Sequence, residues 1–361
     1  MKKILPMTLP EDPTFPVYAD LLSILYSYDV AHDWIYSNFI QIYALDIVNR
    51  DASLLHPFLS GFFGLSDTRR FDMASDDMFF LPRDGICPFL TTFEIPNDVV
   101  EDSMSSFIKG AINRDYYIFT FIDVMQISEY NMSRPYSHGI LVYGFDDSEE
   151  VFHVADFLLG ASGRYTFFKC SYVEMEEAIK FGKLLDLPYL KTSALIQFSK
   201  YGQHEIDFDS IKAKIQSYIY PDSQIENEFS DYCTYLYSMI FDWNVVAHLG
   251  TNVYQYLSSF IDTELELGKT RIDYRLFHAM YEHKLIMIRR LEHLKGKGLL
   301  SDKDKYIVSY SAIRDNLSAI RNSLLKYNIS KKSTIITSVK QTLNETRELE
   351  INLLKKIFDI V

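Results

Sequence analysis

The chain has 361 residues, a formal net charge of −13, 48% hydrophobic residues and 24% charged residues. These proportions are those of ordinary globular proteins, and they exclude a disordered, a collagen-like or a disulfide-scaffold chain. The acidic excess lies entirely in residues 1–200, whereas residues 201–361 carry equal numbers of basic and acidic side chains. An acidic domain repels phosphate backbones, so we do not expect nucleic acid as a partner.

The cysteines and the N-terminal segment bear on the cellular compartment. Cys87, Cys170 and Cys233 are widely spaced and form no CxxC pair, which predicts neither a disulfide framework nor a cysteine zinc site. This usage fits a reducing cytoplasm, where we expect the protein. The chain reaches Pro6 before any long apolar run, so no signal peptide is predicted. No stretch approaches the roughly 18 apolar residues of a membrane span, and no membrane partner is expected.

The first half of the chain predicts both helices and strands. Two segments, Val17–Tyr28 and Ile35–Val48, repeat apolar residues at three- and four-residue steps and predict helices. Short runs rich in aromatic and β-branched residues predict strands of one buried antiparallel sheet: Tyr116–Ile122, Ser137–Phe145, Val151–Phe157 and Tyr165–Phe168. Ser171 then predicts the N-cap of a helix whose first turns are acidic.

The second half changes character near Asp207. Pro221 is the only proline beyond that residue. Helical periodicity predicts five helices: Ile211–Tyr220, Phe229–Ile261, Asp273–His293, Asp302–Tyr327 and Ser333–Phe358. We therefore predict an α+β protein, with a mixed domain over residues 1–206 and an all-helical domain over residues 207–361.

The segment most informative about chemistry is a predicted hairpin over residues 136–157. If the turn is Asp146–Glu149, the register places His138 opposite Asp156 on one face of the sheet. An imidazole oriented by a carboxylate is the base-and-orienter half of a nucleophilic triad. An incidental sheet pair is the alternative. His153 differs from Asp156 by an odd number of residues and is predicted on the other face.

These residues resemble the His–Asp segment of papain-fold cysteine peptidase relatives. The similar segments are Ser137–Asp146, Val154–Asp156 and Ser171 with the acidic helix after it, together with Asp33–Gln41 and Phe277–Lys284. The resemblance is closest to the bacteriocin-leader peptidases and to the butirosin-biosynthesis H protein family. Members of the latter family move acyl groups from carrier-protein thioesters to amines, and some homologues are linked to nonribosomal peptide clusters.

The resemblance implies a papain-like N-terminal domain in which His138 is the base and Asp156 orients it. It implies no cofactor and no metal. The family's nucleophile is a cysteine at the start of the first long helix, but residues 17–20 here read Val-Tyr-Ala-Asp. Cys87 and Ser23 are the candidate substitutes, although a structural role is the alternative for each.

The resemblance implies two alternative functions. The first is an acyltransferase of peptide natural-product biosynthesis, or a thioester or peptide hydrolase, acting on a small amine or peptide. The second is a catalytically inactive homologue that acts as a binding or scaffold protein in the same pathway. Carrier proteins are acidic, so a basic docking face is expected, and Arg289, Arg290, Lys295 and Lys297 are the candidates.

The spacing of histidine and glutamate residues in the predicted helix Asp273–His293 does not favour a metal site. His278 and Glu282 share a helix face, but His283 lies about 140° around the helix from His278. We expect a surface or inter-helix hydrogen-bonding role for these side chains.

Overall fold

The computed structural model describes residues 1–11, 13, 16–47, 63–66, 87–97, 100, 103–182, 192–238, 245–300 and 303–360. The strands of these residues are β1 (Lys2–Ile4), β2 (Gln41–Ile47), β3 (Phe63–Ser66), β4 (Leu90–Pro96), β5 (Tyr116–Asp123), β6 (Ser137–Asp146), β7 (Val151–Phe157), β8 (Tyr165–Ser171), β9 (Thr192–Phe198) and β10 (Val245–Leu249). The α-helices are α1 (Pro16–Leu25), α2 (His32–Ser37), α3 (Met104–Asn113), α4 (Tyr172–Gly182), α5 (Phe208–Ile219), α6 (Ser223–Ser238), α7 (Asn252–Glu266), α8 (Arg275–Gly296), α9 (Lys303–Ser330) and α10 (Ser333–Phe358).

The chain divides into two compact units. The first contains Met1–His32 and Asp76–His204, and the second contains Asp33–Ser75 and Glu205–Val361. The division after His204 is close to the predicted boundary at residue 206. The second unit, however, also takes a segment from the N-terminal half of the chain.

An antiparallel sheet is the centre of the first unit. Its strand order is β4-β9-β5-β6-β7-β8, and β1 adds to the end of β6 with Lys3 opposite Phe145. Helices α3 and α4 pack on β5, and α1 packs on β7. The interior between sheet and helices is filled largely by branched and aromatic side chains that exclude water.

The strands predicted from sequence are confirmed as β5 to β8. Each predicted run matches an observed strand to within a few residues, because aromatic and β-branched side chains fit a pleated, buried surface. The predicted cap is also confirmed. Ser171 Oγ accepts from the Glu174 backbone N–H at 3.2 Å, and the Glu174 carboxylate accepts from the Ser171 backbone N–H at 2.9 Å. This reciprocal pair is a capping box.

The predicted helix over Ile35–Val48 is wrong. Helix α2 ends at Ser37, and Phe39 takes a left-handed backbone conformation with φ of 49°. The chain then continues as β2, which pairs with β3 and β10. A left-handed residue cannot continue a right-handed helix, and the β-branched and aromatic residues that follow suit a strand.

The second unit is mainly helical, but the prediction of an all-helical C-terminal domain is wrong. Val245–Leu249 forms β10, so the predicted helix Phe229–Ile261 is in fact α6, a strand and α7. Strand β10 pairs antiparallel with β2, with Ala247 opposite Leu45. The β-branched residues of β10 pair with a strand about 200 residues earlier in the chain. Helical periodicity carries no information about a pairing partner so far away in sequence.

Candidate active site

His138 and Asp156 form a hydrogen-bonded pair in the first unit. His138 Nδ1 lies 2.7 Å from Asp156 Oδ2, which confirms the predicted contact. The Asp156 side chain is 1% exposed and the His138 side chain is 15% exposed. Because a carboxylate only accepts, Nδ1 carries the donated proton and Nε2 keeps a lone pair in the neutral imidazole. This is the tautomer that a general base requires.

The register that joins the two residues differs from the predicted one. The hairpin turn occupies residues 147–150, one residue later than predicted, and Leu141 lies opposite Ala155. Asp156 is therefore not directly opposite His138. The contact between them runs diagonally across the two strands, along one face of the sheet.

A β-bulge at Tyr143 sets this shared face. Between Val142 and Gly144 the β6 strand contains one more residue than the β7 strand opposite. Side chains alternate between the faces of a sheet, so a regular ladder continued from the turn would put His138 and Asp156 on opposite faces. The extra residue returns them to the same face.

The pKa of His138 is raised above its ordinary value of 6.5. Burial opposes this, because it disfavours the charged imidazolium, but the charge of Asp156 and its hydrogen bond outweigh burial. The ring of Tyr136 lies beside the imidazole, with ring centres 6.2 Å apart. Above its raised pKa, His138 is a neutral base held in one orientation.

Tyr130 is a third member of this group that sequence reasoning missed. It ends a single 3₁₀ turn, Ser128–Tyr130, and its hydroxyl donates to Asp156 Oδ2, the same oxygen that accepts from His138. Asp156 Oδ1 is buried and has no hydrogen-bond partner among the described residues. With 26 tyrosines in the chain and no fixed spacing to His138, no sequence signal distinguished this one.

A second buried acid lies near this group on α1. Asp20 Oδ1 accepts a hydrogen bond from Tyr165 Oη at 2.6 Å, and Ser23 Oγ donates to the same hydroxyl at 3.4 Å. Burial raises the pKa of Asp20 well above 3.8, and the charge of Asp156 raises it further. Asp20 lies within residues 17–20, where the resemblance predicts a cysteine nucleophile that this chain lacks, but sequence reasoning assigned Asp20 no role.

The two candidate nucleophiles are Cys87 and Ser23, and the structure describes the surroundings of both. Burial raises the pKa of the Cys87 thiol to about 12, so at neutral pH it is not a thiolate. Ser23 is fully buried and its hydroxyl faces Tyr165. Among the described contacts, neither residue hydrogen-bonds to His138. The side chains of Val17 and Tyr18, at the family's nucleophile position, lie outside the described residues.

Two histidines of the second unit, His278 and His283, make hydrogen bonds to other parts of that unit. His278 Nδ1 accepts a hydrogen bond from Arg321 at 2.9 Å, which joins α8 to α9 and confirms the predicted inter-helix role. His283 is buried and Nε2 donates to the Ile40 carbonyl at 2.8 Å. In the part of the chain that the structure describes, no group of three or more His, Cys, Asp or Glu side chains is arranged to hold a metal ion.

The predicted basic docking set requires a correction. Arg290 is fully buried and donates to the carbonyl oxygens of Tyr36 and Asn38, so it cannot contact a partner. Arg289 is exposed but pairs with Glu292 at 3.0 Å. Helix α8 buries one of two adjacent arginines because successive helical residues point about 100° apart.

Lys297, at the end of α8, also has an acidic neighbour. Its Nζ lies 2.9 Å from Asp33 Oδ2, and the other oxygen of Asp33 pairs with His293. The accessible basic charge of this region is therefore smaller than the sequence indicated.

No protein-family model matches this chain, and a search of curated proteins found no matching relative. The similarity to papain-fold peptidase relatives therefore depends on the residues quoted for it above. Among the helices of the described ranges, none combines the length and apolar character needed to cross a membrane.

Proposed function

We propose that this protein transfers an acyl or peptidyl group from a carrier-protein thioester to an amine, with His138 as general base. The observation that carries the proposal is the hydrogen bond from His138 Nδ1 to the buried Asp156 carboxylate. It holds the imidazole with Nε2 available to accept a proton. The resemblance of Ser137–Asp146 to the His–Asp segment of papain-fold acyltransferases supports the choice of reaction.

The chemistry does not require a protein nucleophile. The amine nitrogen attacks the thioester carbonyl and forms the new C–N bond, while His138 Nε2 takes the proton that the nitrogen loses. Collapse of the tetrahedral intermediate breaks the C–S bond, and the imidazolium returns the proton to the departing thiolate. A thioester is already activated, and general-base assistance contributes about 10²–10⁴ in rate.

A second candidate function is a non-catalytic protein that binds a carrier, a peptide intermediate or another protein of the same pathway. The inert state of Cys87 supports this alternative, because burial holds the pKa of its thiol at about 12. Papain-type covalent catalysis needs a thiolate close to the histidine. In this alternative the fold is the same, and the His138–Asp156 contact has only a structural role.

The carrier protein would dock on the basic side chains of the second unit that are not buried. With Arg290 buried, the remaining candidates from the predicted set are Arg289, Lys295 and Lys297. Their attraction for an acidic carrier would be long-range and sensitive to salt.

The test is an acyl-transfer assay with matched histidine variants. The unaltered chain, His138→Ala and His153→Ala are each incubated with acyl-pantetheine thioesters or acyl-loaded carrier proteins and an amine. Intact-mass spectrometry detects both the amide product and any acyl-enzyme. His153 is the matched control because it lies on β7 of the same hairpin and points to the other face, and its Nε2 has no hydrogen-bond partner among the residues that the structure describes.

The proposal predicts amide formation that His138→Ala abolishes and His153→Ala preserves, with no acyl adduct on the protein. An adduct mapped to Cys87 or Ser23 would contradict base-only catalysis. Transfer no faster than in buffer, together with binding of the carrier, would replace the enzyme proposal with the binding-protein alternative.

A further inference from the structure

Asp156 receives two hydrogen bonds on one oxygen. Tyr130 Oη and His138 Nδ1 both donate to Asp156 Oδ2, whereas Oδ1 is buried and has no partner among the described residues. We propose that Tyr130 is a positioning residue for His138, acting through the Asp156 carboxylate. Its contribution to catalysis rests on the proposed function, but its effect on His138 does not.

The shared oxygen has a geometric consequence. A carboxylate can rotate and present either oxygen to a donor, and a single hydrogen bond does not select between them. Two donors arriving at Oδ2 from different elements, Tyr130 from a 3₁₀ turn and His138 from β6, select one rotation. The rotation of the carboxylate, and through it the plane of the imidazole, is thereby set in part by Tyr130.

The shared oxygen also has an electrostatic consequence. A hydroxyl that donates to Oδ2 draws negative charge away from the side facing the imidazole. The attraction between Asp156 and protonated His138 is weaker than it would be without Tyr130. Tyr130 therefore limits how far Asp156 favours the imidazolium over the neutral base.

Tyr130 itself is held rigidly. It is fully buried, and its ring meets Phe168 edge-to-face with ring centres 5.6 Å apart. Gly160 lets the chain approach the Tyr130 backbone closely, because a Cβ at that position would lie 2.2 Å from the Tyr130 carbonyl oxygen. A buried aromatic ring with so little freedom can orient its hydrogen-bond partner.

The groups around the phenol keep it a donor. Burial raises the pKa of Tyr130 well above 10, and the nearby acidic groups Asp156 on β7, Cys170 on β8 and Asp20 on α1 all act in the same direction. The hydroxyl therefore retains its proton throughout the range in which His138 titrates.

The test measures the pKa of His138 by NMR without any substrate. The imidazole is titrated in the unaltered protein, in Tyr130→Phe, and in a protein carrying a ring-fluorinated tyrosine at position 130. Tyr117→Phe is the matched control, since Tyr117 is also buried in the first unit but donates to the Pro6 carbonyl at 2.7 Å.

Loss of the hydroxyl in Tyr130→Phe should raise the pKa of His138 by about half a unit or more. The fluorinated ring is more acidic and a stronger donor, so it should lower the pKa of His138. The fluorinated protein keeps the hydroxyl and the packing, so it decides the question if Tyr130→Phe does not fold. An unchanged pKa in the variants at position 130, or an equal shift in Tyr117→Phe, would overturn the proposal.

An activity arm separates this proposal from the proposed function. If acyl transfer is present, the pH profile of kcat/KM should move with the NMR pKa in each variant at position 130. If acyl transfer is absent, the proposed function fails, and the substrate-free titration still decides the role of Tyr130.

Discussion

Lys284 Nζ lies 2.8 Å from Glu350 Oε1, and neither side chain has any exposed surface. The pair joins α8 to α10. Tyr218, Tyr254 and Tyr310, each from a different helix, donate their hydroxyls to the same carboxylate. Five helices of the second unit therefore meet at one buried anion whose hydrogen-bonding capacity is satisfied.

Removing one charge of this pair should destabilise the protein strongly. Glu350→Gln leaves Lys284 buried without a counter-charge, which should lower the free energy of unfolding by about 3–5 kcal/mol. The double variant Lys284→Met/Glu350→Gln removes both charges and leaves an acceptor for the tyrosines, so it should lose less than Glu350→Gln alone. Urea denaturation measures both.

The exposed pair Lys340–Asp262, 2.6 Å apart, is the control for this comparison. Lys340→Ala should cost under about 1 kcal/mol, because solvent screens exposed ion pairs. A double variant Lys284→Met/Glu350→Gln that loses as much stability as Glu350→Gln alone, or more, would contradict the charge explanation.

The His138–Asp156 pair should make stability depend on pH. The pKa of His138 is higher in the folded protein than its ordinary value of 6.5, so the folded state binds the proton more tightly than the unfolded state. This stabilisation is fully present below pH 6.5 and is lost as the pH rises through the folded-state pKa. The measurement is the unfolding free energy of the unaltered chain minus that of His138→Gln over a pH series.

Taking that difference cancels the titration of the other histidines, among which burial lowers the pKa values of His153, His248 and His283. Asp156→Asn removes the carboxylate that offsets burial, so the pKa of His138 should fall below its ordinary value. The change with pH of the stability contributed by His138, measured in the Asp156→Asn background, should then reverse sign. A pH-independent difference between the unaltered chain and His138→Gln would refute the coupling.

Gly139 should resist substitution because it lies under an aromatic ring. A Cβ at this position would lie 2.2 Å from Phe119 Cζ, and the Phe119 ring is itself buried. Gly139→Ala should therefore lower the unfolding free energy by about 1–3 kcal/mol. Because Gly139 follows His138 on β6, the His138 NMR signals should also move.

Gly110, inside α3, provides the opposite case in the same unit. The nearest atom to a Cβ there is Arg114 Nη1 at 3.5 Å, an ordinary contact. Gly110→Ala should stabilise the protein by about 0.5–1 kcal/mol, since alanine loses less entropy in a helix. Thermal melts of both variants give the comparison, and equal effects would show that the Phe119 contact is unimportant.

Cys87 should react slowly with iodoacetamide in the folded protein. Burial raises the pKa of its thiol to about 12, from an ordinary value of 9.0, so the thiolate is about a thousandfold rarer than in a free cysteine. Peptide mapping with and without urea measures the protection. Any acyl-transfer activity should survive alkylation, and its loss together with rapid labelling at Cys87 would indicate a cysteine nucleophile.

The His–Asp contact could be predicted because alternation and hairpin closure are local properties. The pattern of Ser137–Phe145 and Val151–Phe157 marks two strands joined by a short acidic turn, which brings His138 and Asp156 to the same end of the hairpin. The register could not be predicted. The register depends on the position of the turn and on the bulge at Tyr143. Each of these two features shifts the pairing of the strands and so changes which face of the sheet a side chain occupies.

Helix α10 shows a similar limit. Apolar residues of this helix recur near one stripe that includes Leu349 with Val339, Leu343 and Leu353, but Leu349 is 45% exposed. The fully buried residue is its neighbour Glu350. A glutamate takes an interior position only when charged and hydroxyl partners from other helices surround it, and those partners lie far away in sequence.

What the sequence by itself determined is local. Residue patterns set strands β5 to β8 of the first sheet, most helices of the second unit, the cap at Ser171 and the proximity of His138 to Asp156. Only the tertiary structure decided that Tyr130 completes this pair and that burial raises the pKa values of the Cys87 and Cys170 thiols. It also decided that Val245–Leu249 is a strand and that Arg290 is buried. These outcomes depend on which distant groups share a buried space, and there desolvation and hydrogen-bond satisfaction outweigh local preference.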